Sequence, residues 1–163
     1  AVARGGAPSA ACIFNPTLDE MFIAVRGGGA TLNGAAISVS AQATLSGCRM
    51  LGSRAMFEHP AWPERWPEMM LSNPSSIAYR MALVAAGRSD AMLALSSKND
   101  WDIAAGHLLV SEAGGRASTH DGGELRYNLT DSVKPSIMCA GRRLYDLIHA
   151  RVASIKLPRA GSQ

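Results

Sequence analysis

Hydrophobic and polar positions along this chain follow one pattern up to about residue 45 and another beyond it. Residues 7–14 form a short apolar run that reads as a strand. Asn15-Pro16-Thr17-Leu18-Asp19 supplies turn residues, and the alternation over 20–26 predicts a returning strand. Gly27-Gly28-Gly29 is a sharp break. Ala30-Thr31-Leu32 and Ile37-Ser38-Val39 then flank Asn33-Gly34, a favoured hairpin dipeptide. The first forty residues therefore predict an antiparallel meander. Its first strand begins close to the start of the chain, as if neighbouring strands were missing.

Beyond residue 45 apolar positions recur at helical as well as strand spacing. Residues 48–52 predict a strand. Residues 60–70 carry Trp62, Trp66, Met69 and Met70 and predict an amphipathic helix in spite of Pro63 and Pro67. Over 76–86, Ile77, Met81, Val84 and Ala85 fall on one helical face, and Gly87 ends the run. Strands are predicted at 90–95, 116–119 and 135–140, with Asp121-Gly122-Gly123 as a turn. Helices are predicted at 101–113 and at 142–155, the latter with Leu144, Leu147, Ile148 and Val152 on one face. The alternation of strands with helices implies an α/β layered segment appended to an antiparallel sheet. The expected division is 1–44 for the remaining antiparallel strands, 45–155 for an α/β subdomain and 156–163 for a frayed tail.

A chain of 163 residues suits one domain with a real core. No apolar stretch approaches the ~18–20 residues that span a bilayer. The N-terminal residues show no charged-then-apolar signal pattern, and no Met starts the chain, as expected of a segment that begins inside a longer protein. Cys12, Cys48 and Cys139 are odd in number and share no zinc spacing, so reduced thiols in a cytoplasm are expected. The net charge of +3 suits an anionic small substrate and a solvated surface equally. Lys and Arg are scattered and compose no nucleic-acid-binding module.

The most informative string is Trp101-Asp102-Ile103-Ala104-Ala105-Gly106-His107-Leu108-Leu109-Val110-Ser111-Glu112-Ala113-Gly114-Gly115. It reads as a helix with a carboxylate at its start, where backbone N–H groups are unpaired and the dipole is positive. A Gly-Gly pair stops it. Asp102 alone would be read as an N-cap. The whole string, however, resembles the C-terminal signature of the inositol monophosphatase family. Two weaker blocks agree in order and spacing. One is Arg26-Gly27-Gly28-Gly29-Ala30-Thr31-Leu32-Asn33-Gly34, the other Ala82-Leu83-Val84-Ala85-Ala86-Gly87-Arg88-Ser89-Asp90-Ala91. The resemblance covers roughly residues 7–150, makes the chain similar to the C-terminal half to two-thirds of a family member, and implies an α/β layered sandwich: the end of an antiparallel sheet followed by a mixed sheet flanked by helices.

The resemblance implies a Mg²⁺-dependent phosphomonoesterase that hydrolyses a small phosphorylated metabolite. It assigns Asp102 to a catalytic metal. Hard cations need several oxygen ligands. The family takes most of them from an upstream Glu and an Asp-Pro-(Ile/Leu)-Asp-Gly-Thr loop, and neither is in this sequence. Asn15-Pro16-Thr17-Leu18-Asp19-Glu20 lacks the required carboxylates and reads as a turn only. The chain by itself is accordingly expected to be inactive. His107 reads as packed or surface, and Glu112 as a support for helix packing or a nearby turn.

In the inositol-specific branch an acidic residue a few positions before Trp-Asp recognises sugar hydroxyls. Here Ala94 lies near that position. Asn99-Asp100-Trp101-Asp102 and Glu124-Leu125-Arg126-Tyr127-Asn128 look more like the bacterial 3′(2′),5′-bisphosphate nucleotidase branch. That resemblance makes Arg80, Lys98 and Arg126 candidate phosphate-binding cations and Tyr127 a candidate stacking face. Each is also readable as an ordinary surface residue. Ser75 and Ser76 are candidate substrate contacts, and a Ser N-cap on the following helix is the alternative. An inositol-1-phosphate phosphatase and a non-catalytic remnant or interaction module remain the other readings. Expected partners are the metabolite and a second copy in a homodimer, with no nucleic acid and no membrane.

Overall fold

The computed structural model describes residues 1–157. The meander is present. Strands β1 (Val2–Arg4), β2 (Ala7–Asn15), β3 (Glu20–Val25), β4 (Gly29–Leu32) and β5 (Ala35–Ala36) form an antiparallel sheet in sequence order. Successive side chains point to opposite faces of a strand. Phe22 and Ala24 are therefore buried while Met21, Ile23 and Val25 stay exposed. The β2–β3 turn is held by the Asn15 side chain, which accepts the Thr17 N–H at 3.1 Å. The β4–β5 turn places Asn33 at φ +49° and Gly34 at φ +81°, the pair of left-handed residues that a type I′ hairpin needs. Strand β5 stops at Ala36, and the Ile37 N–H still donates to the Ala30 carbonyl of β4 at 3.0 Å. The chain then leaves the sheet, and the Val39 N–H donates instead to the Ala113 carbonyl at 3.0 Å.

The second half contains β6 (Arg49–Leu51), α1 (Arg54–Phe57), β7 (Met70–Ser72), α2 (Ile77–Ala85), β8 (Ala91–Ala94), β9 (Lys98–Asn99) and α3 (Asp100–Glu112). After these come β10 (Gly115–Ser118), β11 (Val133–Lys134), β12 (Ile137–Gly141) and α4 (Arg142–Val152). Its main sheet has the order β10-β12-β8-β6-β7. Strand β6 runs parallel to β7 and β8, while β12 is antiparallel to β8 and β10, so the sheet is mixed. Strands β9 and β11 pair separately.

Alternation along β8 and β12 sorts the core into two layers. Met92, Ile137 and Cys139 pack with α2, α3 and the inner residues of the first sheet, Ala11, Phe22, Ala24 and Ala30. Ala91, Leu93, Met138 and Ala140 face the other way, onto Leu144, Tyr145, Ile148 and Val152 of α4. The layers are thus sheet, α2 with α3, sheet, and α4. The α2–α3 contact is close because α3 has Gly106 where it meets Met81 of α2.

The expected helix over 60–70 does not form. A short helix, α1, lies just upstream, and residues 58–69 are irregular up to the edge strand β7. Pro63 and Pro67 each lack an N–H and clash with a preceding turn. The aromatic residues pack without a helix: Trp62 meets Trp66 edge-on at 5.2 Å, and Trp66 meets Phe57 at 5.1 Å. The helix expected over 142–155 ends at Val152. Of the tail expected to fray, residues 158–163 lie outside the described residues. Cys12, Cys48 and Cys139 are free thiols, the first exposed and the other two buried. Among the described residues no helix is long and apolar enough to cross a membrane.

Candidate active site

Asn99 and Asp102 organise the start of α3. Asn99 is the extended N-cap residue, so Asp102 occupies the third helical position and is not itself the cap. Its carboxylate accepts the Asn99 backbone N–H at 3.2 Å and the Asn99 amide at 3.4 Å. This is the reciprocal half of a capping box, which satisfies donors that a helix start leaves unpaired. Asp102 is half-buried beside Trp101, which is 73% exposed.

Asp100 anchors this helix start from behind. Its Oδ1 lies 2.8 Å from Lys134 Nζ, and the two side chains are only 13% and 11% exposed. Its Oδ2 accepts the Asn128 N–H at 3.1 Å, and its own N–H donates to the Ser132 carbonyl at 2.8 Å. The sequence carries no local signal for this pair, because the partners are 34 residues apart.

A cleft of about 570 Å³ opens nearby between α2, β8 and the segment after it. Ser75, Arg80 and Lys98 line it together with Ala94, Leu95 and Ser96. Among the described residues no Asp or Glu lines it. Lys98 is tethered: Nζ donates to the Ser96 carbonyl at 2.9 Å, the Ser96 hydroxyl at 2.7 Å and the Ser97 carbonyl at 2.9 Å. Burial lowers the Lys98 pKa, Asp102 opposes that shift, and the Arg80 charge adds to it. Arg80 donates through Nε to the Pro74 carbonyl, and burial lowers its pKa as well. Two cations near enough to repel one another across a cleft make a place where an anion is favoured.

Three candidates lie elsewhere. The Ser76 hydroxyl accepts the Tyr79 N–H at 3.2 Å as the N-cap of α2, and it lines a separate shallow cleft with Phe14, Asn15 and Tyr79. Arg126 is exposed and packs by the turn at Gly6, where a Cβ would meet its Nε at 3.5 Å. Tyr127 offers no stacking face: it is 1% exposed, and its hydroxyl pairs with His107 Nδ1 at 3.0 Å. Burial raises the Tyr127 pKa and pushes the His107 pKa down to about 4, so both are neutral near pH 7. Tyr127 is buried because it packs with the α3 core, a long-range contact that its polar neighbours in sequence do not announce. His107 is thus a packed residue. Glu112 supports a turn: its two oxygens accept the N–H groups of Gly27 at 2.9 Å and Gly29 at 3.0 Å.

Among the described residues no group of three or more His, Cys, Asp and Glu could hold a metal ion. One carboxylate at a helix start does not make a Mg²⁺ cage, since this ion dehydrates reluctantly and favours several anionic oxygens.

The inositol monophosphatase family model matches residues 1–157. A Dictyostelium discoideum protein named inositol monophosphatase is 36% identical over 128 residues, which are 70% of this chain and 45% of that protein. The Nus factor SuhB of Escherichia coli is 33% identical over 142 residues, 82% of this chain and 52% of its own length. The structure of inositol monophosphatase from Anabaena superposes with a TM-score of 0.76 at 25% identity, covering 93% of this chain and 61% of that one. The chain spans about half the length of the curated relatives it matches.

Proposed function

This chain belongs to the inositol monophosphatase family, and we propose that it is the C-terminal part of a Mg²⁺-dependent phosphomonoesterase. The substrate is a small phosphorylated metabolite. A 3′(2′),5′-bisphosphate nucleotide such as 3′-phosphoadenosine 5′-phosphate suits the cleft better than inositol 1-phosphate. The observation that carries this reading is the pairing of Arg80 with Lys98 on a cleft whose wall at Ala94 and Leu95 is apolar. Ser75 is the polar neighbour that would hold an ester oxygen there. A second phosphate on one cation is worth ~1.5–3 kcal/mol, about ten- to more than a hundredfold. Inositol brings hydroxyls to an apolar strand, where they lose partners. Arg126 and Ser76 are not part of this reading, given their positions.

Asp102 is the one carboxylate that this chain offers to the metal. The chain alone is inactive in this proposal, because the Asp-Pro-x-Asp-Gly-Thr ligands are not among its residues. The division near residue 44, a homodimer and a cytoplasmic setting belong to the same proposal. The name of the Dictyostelium relative favours an inositol monophosphate instead, and that of a Mesorhizobium japonicum relative, inositol-1-monophosphatase, favours inositol 1-phosphate. The name of the Escherichia coli relative, a Nus factor, favours an interaction module.

The test joins this chain to the family's metal-loop half and compares kcat/KM for the two substrates at equal Mg²⁺. A preference for the bisphosphate, weakened selectively by Lys98→Ala, supports the reading. Equal or better turnover of inositol 1-phosphate returns the protein to the inositol branch. Phosphate release by neither substrate favours the interaction module.

A further inference from the structure

An apolar hollow of about 260 Å³ opens beside the cationic cleft, with Met56, His59, Trp62, Pro63, Leu95 and Ile155 on its walls. Met56 and Leu95 also line the cleft of Arg80 and Lys98, so the two spaces share a wall. Its shape is fixed by contacts already made. Trp62 donates its indole N–H to the Met56 carbonyl at 2.6 Å and rests edge-on against Trp66 at 5.2 Å. The His59 ring accepts the Ala61 N–H at 3.2 Å. With its only donor used inside the protein, Trp62 has carbon surface left to offer a ligand. Among the described residues no Asp, Glu, Lys or Arg lines the hollow.

A cationic cleft that shares a wall with a small apolar hollow fits one kind of molecule: a phosphate ester that carries a flat, weakly hydrated ring. A polyol ring would leave its hydroxyls unpaired there. We propose that the hollow is a subsite for the heteroaromatic ring of the substrate, with Trp62 and Met56 as its contact surfaces, while the phosphates occupy the adjoining cleft. The proposal rests on the nucleotide reading above and gives its ring a location that the buried Tyr127 cannot provide.

Adenosine, which has the ring and no phosphate, is the probe. Binding to this chain is followed by isothermal titration calorimetry. Saturable binding of adenosine that Trp62→Ala abolishes and Trp62→Phe retains is the expected result. Binding of 3′-phosphoadenosine 5′-phosphate should weaken about five- to 150-fold in Trp62→Ala, the range for loss of base–aromatic stacking. Ribose bisphosphate, which lacks the ring, should bind both proteins alike. Ile155→Trp fills the hollow from its other side and should exclude adenosine even if Trp62→Ala fails to fold. Equal loss of nucleotide and ribose bisphosphate, or no loss in either Trp62→Ala or Ile155→Trp, overturns the subsite. Adenosine binding that depends on Trp62, without any gain from a second phosphate, keeps the subsite and overturns the bisphosphate reading instead.

Discussion

Gly106 of α3 stands so close to α2 that a Cβ built on it would lie 2.5 Å from the Met81 Cβ. The contact is with the stiff root of the Met81 side chain, which cannot swing away. The small residues of the Ala-Ala-Gly stretch therefore admit a neighbouring helix, and this contact sets how deeply α3 seats between the two sheets.

Gly106→Ala should consequently destabilise the fold, although alanine favours an isolated helix by about 1 kcal/mol. Overpacking of a dense core costs roughly 1–3 kcal/mol. In a protein of this size that lowers Tm by about 2–4 °C per kcal/mol. Thermal unfolding followed by circular dichroism measures it, and an unchanged or raised Tm would show that the helices separate freely.

Asp102 has a capping role that can be separated from its charge. Asp102→Asn keeps an acceptor for the Asn99 N–H, so its stability should stay close to that of the parent. Asp102→Ala loses that hydrogen bond and should cost about 0.5–1.5 kcal/mol. If the carboxylate also serves a metal, both variants should lose most phosphatase activity in a protein completed with the metal-loop half. Wild-type turnover by Asp102→Asn would end the metal-ligand assignment.

The buried pair of Asp100 and Lys134 should behave asymmetrically. Lys134→Met leaves a carboxylate without its cation and should cost about 3–5 kcal/mol. The double variant Asp100→Asn with Lys134→Met should recover a substantial part of that loss. Urea unfolding of the four members of the cycle gives the coupling energy. Additive losses would mean that the two side chains do not depend on one another.

His107 predicts an acid-labile fold. Its folded pKa, about 4, lies below the ordinary value of 6.5 because burial disfavours the imidazolium. The neutral ring's contribution is fully present above pH ~6.5 and is lost progressively as pH falls toward 4. The loss amounts to about 3 kcal/mol for a shift of this size. His107→Gln should flatten stability across that window, and an unaltered slope in His107→Gln would assign the acid sensitivity to other groups.

Local chemistry was readable wherever a residue determines its own backbone. Asn33-Gly34 announces the hairpin through φ values that few other pairs accept. Ser76 announces a helix start, and the unbroken apolar runs across Ala91–Ala94 and Ile137–Gly141 announce strands buried on both faces. The 60–70 segment misled because its Trp and Met residues sit at helical spacing while packing onto Phe57 from irregular backbone. The two-residue strands Lys98–Asn99 and Val133–Lys134 carry no periodicity at all. At the candidate site, Ser75, Arg80 and Lys98 were legible only as residue types, and the cleft that gathers them was not. The burial of Tyr127 and the pairing of Asp100 with Lys134 were not, since tertiary contacts alone decide them.

The carboxylate of Glu112 reaches back 85 residues to the Gly27 N–H and 83 to that of Gly29. Both glycines hold left-handed backbone, at φ +74° and +80°, in a turn whose strands can pair locally within microseconds. The clasp itself is a contact of high sequence separation, so it closes only after α3 has docked. A contact made that late belongs to the native side of the folding barrier. Glu112→Ala should therefore leave the refolding rate nearly unchanged and accelerate unfolding, as expected of a low-φ position. The glycine turn is thus a latch on the lifetime of the folded state and has little part in the speed with which that state is reached.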